Sequence, residues 1–313
     1  MLRCVLRDVS GQSIIVPQLL NLQVNIDENV PADSLYAVMA YMPTDELVGV
    51  TLYQDDEQVF TGIMDEQEHV SDETGEYLKI SARSPAAHLL DNEAMPCAYD
   101  HPSLSLIYDR YVKPFGITMT DHGDAVYFGE LNILKGSSCW RAVKQFCNAC
   151  FSSVPRVSST GVLYPEGIVN DREIVFGRDG VRYTAMRESQ KRCEEISAVY
   201  VKASGSGSYT LPVRNEDAEA RGVRRVRYLN AMLTESPMRC ADTMIANSAK
   251  KAYAIELRCP SCLLGKEGSR ATLKDTASGR KSDLYISAVH YRMTKDGAYS
   301  DVTLKRRQKN VDQ

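Results

Sequence analysis

Long hydrophobic runs are missing from this 313-residue chain: no segment approaches the ~18 consecutive apolar residues of a membrane-spanning helix. The opening residues, MLRCVLRDVS, carry no apolar export core, so the expectation is a protein without a membrane partner, made in a reducing cytosol. Histidine is scarce. None of His69, His88, His101, His122 and His290 stands in a recognisable nucleophile motif. The G-x-x-x-x-G-K-[ST] phosphate loop, the G-x-G-x-x-G fingerprint and H-E-x-x-H are all absent, which removes the motif support for common nucleotide-dependent and zinc-dependent enzymes. Carboxylates are plentiful, but Asp55-Asp56-Glu57 and Asp65-Glu66-Gln67-Glu68 read as solvated turn and edge-strand charges rather than an acid–base pair. The reading is therefore of a protein with no catalytic residues and no cofactor.

What is present is ordinary globular material, with 43% hydrophobic and 25% charged residues. The length exceeds one typical core, so more than one is expected. The formal net charge of −4 conceals an asymmetry. Residues 1–150 hold 9 Lys+Arg against 22 Asp+Glu, a net of −13, whereas residues 151–313 hold 28 against 19, a net of +9. Two solvated surfaces of opposite sign explain this. So does docking of the acidic half of one copy on the basic half of another, a head-to-tail contact that closes into rings.

The first 83 residues read as strands. Leu20, Leu22, Val24 and Ile26 alternate with Asn21, Gln23 and Asn25, and turn residues at Asp55-Asp56 and Asp72-Glu73-Thr74-Gly75 mark hairpins. Helical texture follows: Ser84-Pro85 opens a short helix to about Asp91 with the serine hydroxyl as its cap. Leu104, Ile107, Tyr108 and Tyr111 make a second stripe, stopped by Pro114, and Trp140, Val143, Phe146, Cys147 and Cys150 a third. Strands return over 157–201, Ser204–Ser208 reads as a flexible loop, and a helix after Ser236-Pro237 runs to about Ala252. The chain then ends in a hairpin at Asp296-Gly297. The fold class is β-rich α+β.

Two groups invite functional readings. Cys147-Asn148-Ala149-Cys150 and Cys259-Pro260-Ser261-Cys262 are both C-x-x-C, the donor spacing of four-cysteine zinc sites, but 108 residues separate them and core packing explains the first pair. The densest basic stretch supplies Arg221, Arg224, Arg225 and Arg227 as interface candidates, with Arg225 and Arg227 on one face of a strand and Val226 and Tyr228 on the other. Such arginines suit phosphate or an acidic protein surface; the −13 half favours the protein surface.

The order of segments resembles the baseplate hub family of phage tails, the late-control protein D-like and Mu-like tail hub proteins, a fold shared with the N-terminal part of type VI secretion spike proteins. The resemblance rests on Val59-Phe60-Thr61-Gly62-Ile63, on Leu78–Ser84 followed by Leu89-Leu90-Asp91-Asn92, and on Gly136–Val143 followed by Gly161-Val162-Leu163-Tyr164. Glu195–Lys202, the helix before Ala252, the strand Ala254–Arg258 and the Asp296-Gly297 hairpin extend it along most of the chain.

It implies two tail-tube-like β-barrel domains, at 1–84 and 191–313, around a helical and small-sheet middle region at 85–190. It further implies a homotrimer whose six barrels match a sixfold tail tube protein, with a central spike protein on the other face. Tape measure and baseplate wedge proteins are further partners, and DNA only passes through the channel, whose lining is expected to be acidic. The place implied is the virion tail baseplate, assembled in the bacterial cytoplasm. A tail-borne cell-wall hydrolase or protease, and a nucleic-acid-binding protein using the basic strand, are the rival classes.

Overall fold

Strict alternation of apolar and polar residues folds the N-terminal segment as a sheet. The computed structural model describes residues 2–73, 75–202, 208–230, 237–275 and 279–307; most of the Ser204–Ser208 loop, Ser236, Thr74 and the last six residues lie outside them. Strands β1 (Leu2–Asp8), β2 (Ser13–Ile15), β3 (Leu19–Asp27), β4 (Ser34–Ala40), β5 (Leu47–Gln54), β6 (Glu57–Asp72) and β7 (Gly75–Arg83) pair antiparallel in the order β3-β4-β7-β6-β5-β1-β2. Leu22, Val24, Ile26, Leu35, Met39, Phe60, Leu78 and Ile80 are buried on one side. The Phe60-Thr61-Gly62 signature has a steric reason. A Cβ at Gly62 would lie 2.7 Å from the Phe60 ring and 3.1 Å from Ala82 and Val50, so the ring fits only because position 62 has no side chain.

The middle of the chain comprises α1 (Ala86–Asp91), β8 (Cys97–Asp100), α2 (Leu104–Tyr111), β9 (Thr118–Met119), β10 (Glu130–Ile133), α3 (Cys139–Phe151), β11 (Arg156–Val157) and β12 (Val162–Tyr164). Ser103 and Ser138 cap α2 and α3, accepting from the backbone N–H groups of Leu106 and Arg141. Ser84 does not cap α1: its buried hydroxyl accepts instead from Asp33 N–H at 3.0 Å, because the tertiary contact offers a donor where the helix entrance is occupied by Pro85. The α3 stripe packs with Ile107 and Tyr111 into a second core.

Next come β13 (Asn170–Gly177) and β14 (Ala185–Gln190), then β15 (Ala198–Lys202), β16 (Tyr209–Arg214), α4 (Glu216–Ala220), β17 (Val226–Asn230) and α5 (Pro237–Ala252). The chain finishes with β18 (Tyr253–Cys259), β19 (Ser269–Asp275), β20 (Gly279–Thr294) and β21 (Gly297–Arg306). Strands β14-β18-β21-β20 are hydrogen-bonded neighbours, and β19 joins β13 to β20. This half sheet thus draws strands from 170–190, within the segment that sequence reading groups with the middle region. Strands β15, β16 and β17 fold apart from it as a three-stranded sheet, order β16-β15-β17, with α5 across one face around Val199, Val201 and Ala241.

The two half sheets are one. β3 pairs antiparallel with β20, matching Val24 to Tyr291 and Asn25 to His290, and a single hydrophobic core runs beneath all thirteen strands. The fold is β-rich α+β, with 51% strand and 19% helix among the described residues.

Candidate assembly interface

Because apolar residues take one face of the continuous sheet, polar residues must take the other, and register brings them into rows. One row crosses seven strands: Ala185 on β14, Arg258 on β18, Asp301 on β21, His290 on β20, Asn25 on β3, Ser34 on β4 and Arg83 on β7. Its members bond laterally. Arg258 donates twice to Asp301, at 2.8 and 2.9 Å. His290 Nδ1 lies 3.1 Å from Asn25 Oδ1, and Asn25 Nδ2 donates to Ser34 Oγ at 3.2 Å. The seam between the half sheets is therefore bridged by side chains as well as backbone.

Charges on this face are mixed in sign and mostly paired. Lys79 meets Glu68 at 3.2 Å, Arg187 approaches Glu256 at 3.9 Å, and Arg83 clamps both Asp65 and Asp91 at 2.7 Å. Hydrogen bonds from Arg83 hold the Asp91 carboxyl below its ordinary range, so it stays ionised. A shallow depression over Arg187, Glu256, Arg258, His290 and Asp301 is lined by such pairs. An evenly paired surface lets a charged polymer pass without gripping it, since no cluster of one sign is left to hold counter-charge.

The sheet runs from β14 at one end to β2 at the other, and two of its open edges, along β6 and along β14, differ in charge. Beyond Ile63 the second half of β6 has β7 as its one strand neighbour among the described residues, and that hairpin carries Asp65, Glu66, Glu68, Asp72, Glu73 and Glu76. At the β14 end the edge strand pairs with β18 alone, and exposed Arg182, Arg187, Lys191 and Arg192 stand on or beside it with Glu188 as the carboxylate of the strand. Open strand edges are templates for further pairing.

The arginines proposed from sequence split into two kinds. Arg221 is committed within the chain, donating to the buried Glu195 carboxylate and to Asp217 O at 3.1 Å. Arg225 likewise donates to Cys193 O at 2.6 Å. Arg224 and Arg227 are exposed and have no acidic partner among the described residues. In β17 the alternation is as the sequence indicates, with Val226 and Tyr228 on the face away from α5; Tyr228 stacks on Tyr200 at 5.8 Å and meets Tyr209 edge-on at 5.3 Å. Nothing in the sequence marks this tyrosine cluster, because its members come from three separate strands.

The cysteine pairs belong to different cores. Cys147 and Cys150 pack around α3, while Cys259 and Cys262 lie in the core of the large sheet. Burial pushes the Cys259 thiol up to about 11, and Cys147 higher still, so both are inert thiols.

Comparison with solved structures gives the class of protein that this fold defines. The chain superposes on the tail protein from Neisseria meningitidis MC58 with a TM-score of 0.77 at 15% identity, covering 97% of this chain and 96% of that one. For the 43 kDa tail protein of prophage MuSo2 from Shewanella oneidensis the values are 0.75 and 17%, over 97% and 98% of the two chains. The E. coli c3393 protein, a component of the type VI secretion system, follows at 0.58 and 7%, over 94% and 74%. No family model and no curated protein matches the sequence. The chain thus has the fold of phage tail proteins, shared with a type VI secretion component.

Proposed function

We propose that this chain is the structural baseplate hub of a phage or phage-like tail, a trimeric ring joining a sixfold tail tube to a threefold central spike, without enzymatic activity. The reading rests on one observation above all: each chain carries two half sheets joined at β3–β20 into a continuous sheet with one polar face. Three copies present six half sheets, which adapts threefold to sixfold symmetry by geometry alone. In this reading the polar face lines the channel. Its paired charges make that lining mixed rather than the acidic one expected from composition, and DNA slides over it. The acidic open edge at β6 and the basic open edge at β14 of successive copies meet head to tail, which covers both of these edges.

The fold likeness to tail proteins supports the setting: a virion tail, with a tube protein on one side, a spike on the other, and tape measure and wedge proteins nearby. Light scattering of the purified chain tests it. A mass near three times 34.9 kDa is expected. A stable dimer at every concentration would falsify the ring.

A further inference from the structure

Three parts of the fold meet at one dry cluster. The turn before β4 brings Asp33, the segment after α3 brings Arg156 and Ser159, and the loop before β19 brings Glu267. Asp33, Arg156 and Ser159 are buried. Ser159 O accepts from Thr61 N–H at 2.8 Å, so this anchor joins the middle unit to the first half sheet through backbone as well as side chains. We propose that Glu267 is a proton-operated latch that docks the second half sheet on this anchor, closed while its carboxyl is neutral and released when it ionises. The latch belongs to the single chain and does not depend on the ring.

Geometry gives the sign. Glu267 Oε2 is enclosed and has no hydrogen-bond partner, and the same holds for the hydroxyl of buried Ser269 two residues on. The charged groups facing Glu267 are Asp33, Arg156 and Lys266. Arg156 is already shared among Asp33, Val30 O and Pro31 O, and Lys266 reaches out to Glu57 on β6 at 3.7 Å. Two carboxylates against one guanidinium in dry surroundings leave a negative charge uncompensated unless one of them holds a proton. Asp33 has a donor on each oxygen, Arg156 on one and Ser159 on the other, so the proton falls to Glu267. Burial pushes that carboxyl up to about 7, with Asp33 adding to the rise. The loop is also separable. Among the described residues its backbone bonds run from Gly268 N–H to Ile286 O at 2.9 Å and from Asn170 N–H to Gly268 O at 3.2 Å, and none runs to the anchor. It can therefore lift while β19, β20 and the anchor stay folded.

Hydrogen exchange of the full chain, read by mass spectrometry at pH 5 and pH 8 and corrected for the intrinsic pH dependence of exchange, tests the latch. In the wild type, peptides covering 264–269 and 30–34 are expected to lose protection more than tenfold between the two values. Glu267→Gln fixes the neutral form and is expected to keep that protection, and peptides from α3 are expected to change in neither protein. A pH series on the wild type alone gives a second reading: protection should fall between about pH 4.5 and 7 and level off above, as one proton requires. Equal protection of these peptides at pH 5 and pH 8 would overturn the latch. A loss that Glu267→Gln shares would overturn it by assigning the titration to another group, and a loss that extends to α3 would replace it with general loosening.

Discussion

Arg156, at the start of the strand after α3, closes on Asp33, in the turn between β3 and β4, although 123 residues separate them along the chain. Both side chains are nearly dry, with 7% and 0% exposure. Arg156 also donates to Pro31 O at 2.8 Å, and Ser159 donates to the second Asp33 oxygen at 2.8 Å. The cluster anchors the middle unit to the large sheet at a point where both would otherwise bury unpaired polar groups.

Arg156→Met should therefore cost on the order of 3–5 kcal/mol, because it leaves a buried carboxylate without its cation. Urea unfolding monitored by circular dichroism would measure this. A loss below about 1 kcal/mol would mean that water reaches Asp33 and that the anchor is dispensable.

Gly62→Ala should cost about 2 kcal/mol through overpacking against Phe60, Ala82 and Val50. The double variant Gly62→Ala/Phe60→Leu should recover part of the loss by shortening the ring. An unchanged melting temperature for the single variant would show that β6 shifts freely.

Glu267 lies in the loop before β19, with Oε2 buried and unpartnered, and with Asp33, Arg156 and Lys266 as its charged surroundings. Burial pushes its carboxyl from 4.5 up to about 7. A folded value above the unfolded one means that the fold prefers the protonated form. The contribution to stability is complete below about pH 4.5 and is lost as the pH rises through 7. Denaturant midpoints of wild type and Glu267→Gln, compared at pH 5 and pH 8, should diverge by an amount on the order of 2 kcal/mol, the wild type losing more at high pH. Parallel profiles would refute this assignment.

Thiol labelling should separate the nine cysteines by burial. Cys193 is the exposed one, whereas Cys4, Cys139, Cys147 and Cys259 are buried. A thiol reagent is expected to modify Cys193 first in the native protein, and Cys193→Ser should remove that fast phase. Rapid modification of Cys147 or Cys259 would show that one of the cores opens.

Local chemistry made much of this fold readable. The two-residue period of Leu22, Val24 and Ile26 specifies a half-buried strand wherever it sits, and the Ser138 cap with the Trp140–Cys147 stripe specifies α3 from neighbours within four residues. The Asp296-Gly297 turn specifies its hairpin for the same reason, since Gly297 takes a φ of +132° that other residues resist. The arginine stretch was visible too, but not its division into committed and outward-facing members, which depends on where Glu195 and Cys193 O fall in space.

Period, caps and turns act over a few residues, so the β-rich class, the helices of the middle region and the opposed charges of the two halves are legible in the amino acids alone. Pairing across long separations was decided only by the tertiary structure. Any apolar strand face can cover any other, and only the assembled core selects β20 as the neighbour of β3, recruits β13 and β14 into the large sheet, and sets β15–β17 and α5 apart on a core of their own. The polar row from Arg258 to Arg83 follows from that choice of register, because a shift of one residue would turn its members into the core.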